Sequence, residues 1–309
     1  MFTDLKIQVP SPLTKIQHPL LDQYGIECVF KRDDLLHPWL SGNKWRKLKY
    51  TLSGATGQAS SCWVSFGGCF SNHLYALAGA GQLFNKKTVG IIRGEEDPNN
   101  PTLQFLYKMG MTCHFVTREQ YKKRHHIAYE QLIDKTYPGA FLIPEGGYSV
   151  AAMQGMAEVV QELEQQIDYD VLCCAVGSGT TLAGLACAQK NKKRVIGFAA
   201  LKNASYLHES IQSLQREKAG CVYDYDLELD YHGGGFGRVS AEVADFTQDF
   251  VARTGITIEP IYLGKTLFGL FDKIKRGQFE AQTRIVVLHS GGLQGLAGLA
   301  YRNLFHLQR

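Results

Sequence analysis

Lys44 follows Gly42-Asn43 and precedes Trp45-Arg46-Lys47, in a stretch entered from Lys31-Arg32-Asp33-Asp34. Gly-Asn tolerates tight or left-handed backbone, so the amine is predicted at a strand-to-helix corner, where burial and neighbouring cations lower an amine's pKa. A lysine so placed attacks carbonyl carbons and forms imines. The plainer alternative makes Lys44, Arg46, Lys47 and Lys49 a solvated basic face on the first turns of a helix. Four glycine-rich corners downstream, each entered from an apolar run, favour the chemical reading. They are Gly67-Gly68-Cys69-Phe70-Ser71-Asn72-His73, Gly146-Gly147-Tyr148-Ser149, Gly177-Ser178-Gly179-Thr180-Thr181 and His289-Ser290-Gly291-Gly292. One lysine and four strand-end loops predict a single crevice.

The corner Gly177-Ser178-Gly179-Thr180-Thr181 follows the apolar run 171–176 and opens a helix, so free backbone N–H groups and threonine hydroxyls converge as an anion site. A dinucleotide fingerprint is not met: the next glycine is Gly184, and the following strand ends in Ala200-Leu201-Lys202 without an acid. Gly264-Lys265-Thr266 resembles the end of a P-loop, but Glu259 stands where its first glycine belongs. A monophosphate carried on a ring cofactor remains, beside a simple tight turn. Lys47 lies about one helical turn beyond Lys44 and can reach that phosphate while Lys44 reaches an aldehyde carbon. Read alone, Ser71 is a helix N-cap and Tyr262 a buried aromatic.

Taken together, Lys31-Arg32-Asp33-Asp34, Gly42-Asn43-Lys44 with Arg46-Lys47-Leu48, Ser71-Asn72-His73, Gly177-Ser178-Gly179-Thr180-Thr181 and Tyr262 with Gly264-Lys265 carry a resemblance. Over nearly its whole length the chain resembles the pyridoxal-phosphate enzymes of the tryptophan-synthase-β fold type (fold type II). Within them it resembles the 1-aminocyclopropane-1-carboxylate deaminase and D-cysteine desulfhydrase family. The resemblance implies pyridoxal 5'-phosphate as cofactor, Lys44 as its imine lysine, and Lys47, Asn72, Gly177, Ser178, Gly179, Thr180, Thr181 and Ser290 around it. It gives Ser71, Asn72, His73 and Tyr262 to the substrate, with Lys44, Ser71 and Tyr262 catalytic. Ser290 would face the pyridine nitrogen, Arg46 would point elsewhere, and Glu145 and Tyr148 would lie near the site. The cyclopropane-acid deaminases carry Glu after the tyrosine, Leu after the His of the His-x-Gly-Gly turn, and Ser-Asn-Gln at the carboxylate loop. The matching residues here are Leu263, Ser290 and His73. Desulfhydrases have Ser-Asn-His and a small hydroxyl residue after that His, though normally a hydroxyl where Leu263 stands. The expectation is therefore D-cysteine-type β-elimination, with cyclopropane ring opening and a non-catalytic binding homologue as alternatives. Family members usually form dimers, so a homodimer is expected.

Such a site needs two sets of strands. At 309 residues, 45% hydrophobic and 20% charged, the chain is long enough for two α/β domains and charged enough to be globular. A net charge of +4 without long like-charge blocks argues against nucleic acid and for a small amino-acid substrate. No run approaches the ~18 apolar residues of a membrane span, and the N-terminus lacks a leader pattern, so a cytoplasmic enzyme is expected. Eight cysteines without a Cys-x-x-Cys pair are expected as reduced core residues. No metal site is expected. Tyr223 to Tyr231 alternate with Asp224, Asp226, Glu228 and Asp230, which predicts a solvated strand with its carboxylates on one face rather than a divalent-cation loop. The glycine run 233–237 is expected as a mobile loop beside the site.

Alternation of apolar runs with helical patterns over 60–145 predicts parallel βαβ units, including one helix through 118–135. A second series runs from 150 through strands near 170–176, 194–199 and 284–288. The reading is two three-layer αβα domains with parallel-rich sheets: residues 1–49 with 150–309 as the larger, and 50–149 as the smaller.

Overall fold

The computed structural model describes residues 6–56 and 60–307, so the stretch 1–5 of the N-terminal arm lies outside them. In chain order the strands are β1 (Leu13–Lys15), β2 (Glu27–Lys31), β3 (Trp63–Gly68), β4 (Thr88–Arg93) and β5 (Thr112–Val116). They continue as β6 (Phe141–Ile143), β7 (Val171–Val176), β8 (Arg194–Ala199), β9 (Asp226–Glu228) and β10 (Arg284–Leu288). The helices are α1 (Pro19–Tyr24), α2 (Gly42–Thr56), α3 (Asn72–Leu83), α4 (Pro101–Lys108), α5 (Arg118–Lys122) and α6 (Ile127–Thr136). Then follow α7 (Val150–Gln166), α8 (Thr180–Gln189), α9 (Leu207–Ala219), α10 (Ala241–Thr254), α11 (Leu263–Lys275) and α12 (Gly295–Tyr301).

Strands buried on both faces must be apolar throughout, and all six residues of β7 are buried. β7 lies inside a six-stranded sheet of order β1-β2-β10-β7-β8-β9, parallel except for the β1–β2 pair. A four-stranded parallel sheet, β5-β4-β3-β6, uses the middle of the chain. The chain is thus α/β with helices covering parallel-rich sheets, as expected. In the larger sheet, Met156, Leu163, Leu182 and Leu207 pack with Leu172 and Val286. Phe250, Leu267, Phe271 and Ile274 pack with Cys173, Ile196 and Val287. In the smaller, Leu74, Leu77, Leu103 and Ile92 pack with Trp63.

Both sheets reverse their direction of growth at one place. In the larger, β8 and β9 build outward from one side of β7 while β10 lies on its other side; in the smaller, β4 and β5 lie on one side of β3 and β6 on the other. Ligands of open parallel sheets bind outside the carboxyl ends of strands at such switch points. The loops there are the four glycine corners of the sequence.

Helix α2, which carries Lys44, is wedged on two sides. A Cβ on Gly42 would lie 1.8 Å from the carbonyl oxygen of Ser290, and one on Gly155 of α7 would lie 1.9 Å from the carbonyl oxygen of Arg46. Arg46 does point away from the crevice, but into a buried ion cluster. Its guanidinium is fully buried and donates to Asp33 (2.9 and 3.1 Å) and Glu162 (2.5 and 2.9 Å). Lys31 Nζ, equally buried, lies 2.6 Å from Glu162 and donates to the carbonyl oxygen of Ser11 at 2.8 Å. Burial works against the Arg46 charge, but Asp33 and Glu162 outweigh it and raise its pKa.

Several expectations need correction. The helix through 118–135 is broken by a 3-10 turn and by extended backbone at His126, the N-cap of α6. Strand β9 keeps three residues of the alternating tract, and its carboxylates part: Asp226 pairs with Arg194 and Glu228 with Lys273, each at 2.6 Å. Sequence reading missed α10 and α12. All eight cysteines are free thiols, but four are buried, Cys69, Cys113 and Cys187 are half-buried, and Cys221 is exposed.

Candidate active site

The carboxyl ends of the two sheets enclose a cavity of about 890 Å³. Lys44 enters it from the first turn of α2. Gly42 holds φ +64°, a left-handed corner that lets the Asn43 N–H reach the carbonyl oxygen of Ser290 at 3.3 Å. Asn43 Nδ2 donates to Thr181 Oγ1 at 3.2 Å, tying this corner to the anion loop. Burial lowers the Lys44 amine to about 8. Lys47, one turn along, also lines the cavity and is buried; its Nζ has a long contact of 3.4 Å with the carbonyl oxygen of Gly146. Burial and then Lys44 push its pKa well below that of a free lysine.

The loop after β7 starts α8 through Gly179, whose φ of +87° turns the chain so that no side chain caps the helix. Gly177, Ser178, Gly179 and Thr181 line the cavity. Thr180 is buried beneath them, its hydroxyl 3.3 Å from that of Ser178. Uncapped N–H groups, two hydroxyls and a buried lysine amine are what a phosphate monoester requires. Tyr262 closes one side, with its ring 3.3 Å from the point where a Gly177 Cβ would lie. Burial, then the charges of Glu259 and Glu145, raise its phenol pKa.

Glu259 holds Tyr262 in place. It is buried and accepts N–H bonds from Ile261, Tyr262 and Leu263 at 2.7 to 3.1 Å, capping the start of α11. Burial raises its carboxyl to about 7 against the pull of those donors. Leu263, next to the tyrosine, is fully buried in the apolar core with Leu267 and Phe271.

Opposite, Asn72 and Ser290 line the cavity. Gln294 Nε2 donates to Asn72 Oδ1 at 3.0 Å, which fixes the amide. Gly292, at φ +84°, would set a Cβ 3.0 Å from Asn72 Nδ2. Ser71 and His73 are not on the cavity wall. Ser71 caps α3, its Oγ accepting the Leu74 N–H at 3.2 Å. The His73 ring is buried against Ser65 at 2.9 Å, and burial with the nearby Lys44 and Lys47 lowers its pKa to about 3. Glu145 and Tyr148 do line the cavity.

Asn43, Arg93 and Arg124 also line the wall without having been expected there, and Phe236 reaches it from the run 233–237 expected beside the site. Arg93 was the most findable, as the last residue of a strand at the edge where ligands bind. Phe236 belongs to the glycine run, which the buried Lys265 anchors by donating to the carbonyl oxygen of Gly235 at 2.9 Å. Lys44, without an ion pair among the described residues, and the uncapped Gly177–Thr181 turn beside Lys47 together fit an aldehyde cofactor bearing one phosphate.

A family model described as "Pyridoxal-phosphate dependent enzyme" matches residues 6–291, and the chain belongs to that family. It is 29% identical over 315 residues to the bifunctional D-cysteine desulfhydrase/1-aminocyclopropane-1-carboxylate deaminase of Arabidopsis thaliana, covering 93% of this chain and 77% of that one. It is 29% identical over 330 residues to the 1-aminocyclopropane-1-carboxylate deaminase of Burkholderia ambifaria, covering 96% and 95%. The crystal structure of an ACC deaminase homologue superposes with a TM-score of 0.85 at 27% identity, covering 96% of this chain and 94% of that one.

Proposed function

We propose that this pyridoxal-phosphate-dependent enzyme is a lyase that eliminates the β-substituent of a small amino acid, with D-cysteine as reference substrate, giving a 2-oxo acid, ammonia and sulfide. The observation that supports it is the Lys44 amine, lowered by burial to about 8, in one cavity with the Gly177–Thr181 turn, Asn72, Tyr262 and Ser290. When bound, the cofactor supplies an electron sink for the carbanion at the substrate's α-carbon.

The protein's own residues do the rest. Lys44 would hold the cofactor at its aldehyde carbon, and its amine would serve as the base beside the substrate's Cα. Lys47, Ser178, Thr181 and the backbone N–H groups of Gly177–Thr181 hold the phosphate; Thr180, buried, supports Ser178. The N-terminus of α3, with Ser71 as cap and Asn72 on the wall, takes the substrate carboxylate through backbone N–H groups. His73, buried against Ser65, makes no contact with the cavity and takes no part in this assignment. Tyr262 shields the reacting face and carries a proton, held in register by Glu259.

Elimination is favoured over cyclopropane opening because the side chain after Tyr262 is apolar and packed into the core, and because a neutral hydroxyl, Ser290, lines the wall where the ring nitrogen would lie. Ring opening needs a stronger electron sink than loss of a thiolate does. Competition between D-cysteine and the cyclopropane acid tests this, following sulfide and 2-oxo acids; a higher kcat/KM for the cyclopropane acid refutes it. The same reading takes residues 1–49 with 150–309 as the larger domain and 50–149 as the smaller. It also takes the protein as a cytoplasmic homodimer, checked by limited proteolysis, fractionation and light scattering.

A further inference from the structure

Among the described residues, four lysine and arginine side chains line the cavity, Lys44, Lys47, Arg93 and Arg124, against one carboxylate, Glu145. Lys44 and Lys47 sit with the anion turn. Arg124 is matched, its Nε 2.8 Å from Glu145 and its Nη1 donating to the carbonyl oxygen of Tyr121 at 3.1 Å. Arg93 has no ion pair among the described residues. Its guanidinium lies 5.4 Å from the ring centroid of Tyr121, which Arg124 flanks at 4.6 Å. Register pairs Arg93 with Gly68 at the end of β3, and its Nη2 is 3.8 Å from the point where a Gly68 Cβ would lie. The acids that follow it in sequence are not on the wall. Glu96 takes the hydroxyl of Tyr107 and Asp97 that of Tyr301.

Resting on the β-elimination reading, we propose that Arg93 recognises a second negative charge on the substrate. The preferred substrates are then amino acids whose β-substituent itself bears an acid group. The substrate's α-carboxylate already has the backbone N–H groups at the start of α3, and the cofactor phosphate has Lys47 with the Gly177–Thr181 turn. Arg93 is exposed to solvent and rests on the Tyr121 ring, so a neutral substrate reaching it would remove water without supplying a counter-charge, whereas an acid group gives it a charge-assisted hydrogen bond. Arg124 cannot substitute without giving up Glu145.

A matched pair isolates the charge: S-carboxymethylcysteine and S-carbamoylmethylcysteine, equal in size, each as both enantiomers. In either, the Cα proton is removed, the Cβ–S bond breaks with its electron pair going to sulfur, and the thiolate takes up a proton. Water converts the three-carbon remainder to pyruvate and ammonia. With holoenzyme, kcat/KM for the acid is expected to exceed that for the amide by about 5- to 10-fold, the range for a partly solvated arginine–carboxylate contact. Arg93→Gln should bring the ratio close to one, and Arg93→Glu should invert it. Equal rates in the parent enzyme, or a parallel loss for acid and amide in Arg93→Gln, overturn the proposal. The second pattern would assign Arg93 to the α-carboxylate. If neither compound nor D-cysteine is eliminated, the elimination reading fails; if D-cysteine alone is eliminated, that reading stands, and in both cases the charge reading is decided by binding. Succinate should then perturb the bound cofactor's absorbance at lower concentration than succinamate in the parent enzyme but not in Arg93→Gln, and equal affinities would overturn it.

Discussion

Gly42→Ala should damage both stability and chemistry, because the helix carrying Lys44 has nowhere to move. The new Cβ would lie 1.8 Å from the Ser290 carbonyl oxygen, and reaching even 3.0 Å requires a displacement of about 1.2 Å between backbone segments. The left-handed φ of +64° adds about 1–2 kcal/mol for any residue with a Cβ. Forced overpacking adds about 1–3 kcal/mol. Together these predict a loss of about 2–5 kcal/mol and an apparent Tm lower by roughly 5 °C or more. A misplacement of about 1 Å at a reacting group costs on the order of 100-fold in rate, so kcat/KM should fall by about that factor in cofactor-saturated enzyme. Gly54→Ala is the control on the same helix: its Cβ meets nothing within 4 Å, and removing a helical glycine should stabilise by about 0.5–1 kcal/mol. Thermal unfolding and steady-state kinetics on both variants decide the matter. A Gly42→Ala enzyme with unchanged Tm and kcat/KM would show that α2 is not wedged against Ser290.

Apo-protein should capture the cofactor aldehyde faster as pH rises through about 8, because burial lowers the Lys44 amine to that value and the neutral form increases above it; a flat profile from about pH 6.5 to 9.5 would refute this. Borohydride reduction of the holoenzyme should leave the label on the Lys44 peptide, and a label on Lys47 would exchange their roles. Lys47→Ala and Thr181→Ala should each weaken cofactor retention by about 1.5–3 kcal/mol while changing kcat little at saturating cofactor; full retention through dialysis by both would remove Gly177–Thr181 as the phosphate turn. Arg46→Met should destabilise by about 3–5 kcal/mol by leaving Asp33 buried without its cation, and a Tm within about 1 °C of the parent would show the ion cluster to be dispensable.

The strands that carry the site were legible because their apolar runs end at glycine corners. The sequence places the loops after β3, β6, β7 and β10 together without coordinates, and the sheet orders give the reason: all four leave the strands that flank a reversal. Local chemistry was ambiguous where one residue type serves two purposes. Ser71 is both the best N-cap and the nominated proton carrier, and the fold gives its oxygen to the Leu74 N–H. His73 is placed by the same helix start, yet its side chain turns towards Ser65, because residues at the start of a helix fan out around its axis. Leu263 adjoins Tyr262 in sequence, but the first turn of α11 sends it into the core. Arg93 and Phe236 carry no motif. Only the pairing of β4 with β3 and the folding of the glycine run bring them to the wall.

The crevice draws its two faces from different sheets. Strands β2, β7 and β10 lead to Lys44, the Gly177–Thr181 turn and Ser290, while β3, β4 and β6 lead to Asn72, Arg93 and Glu145. A substitution at Arg93 therefore changes the face opposite Lys44 and the Gly177–Thr181 turn and leaves the strands that carry those two untouched. The edges of two separate sheets thus meet across one cavity, and the end of β4 is the point at which the smaller sheet contributes its only cation among the described strand residues of that wall.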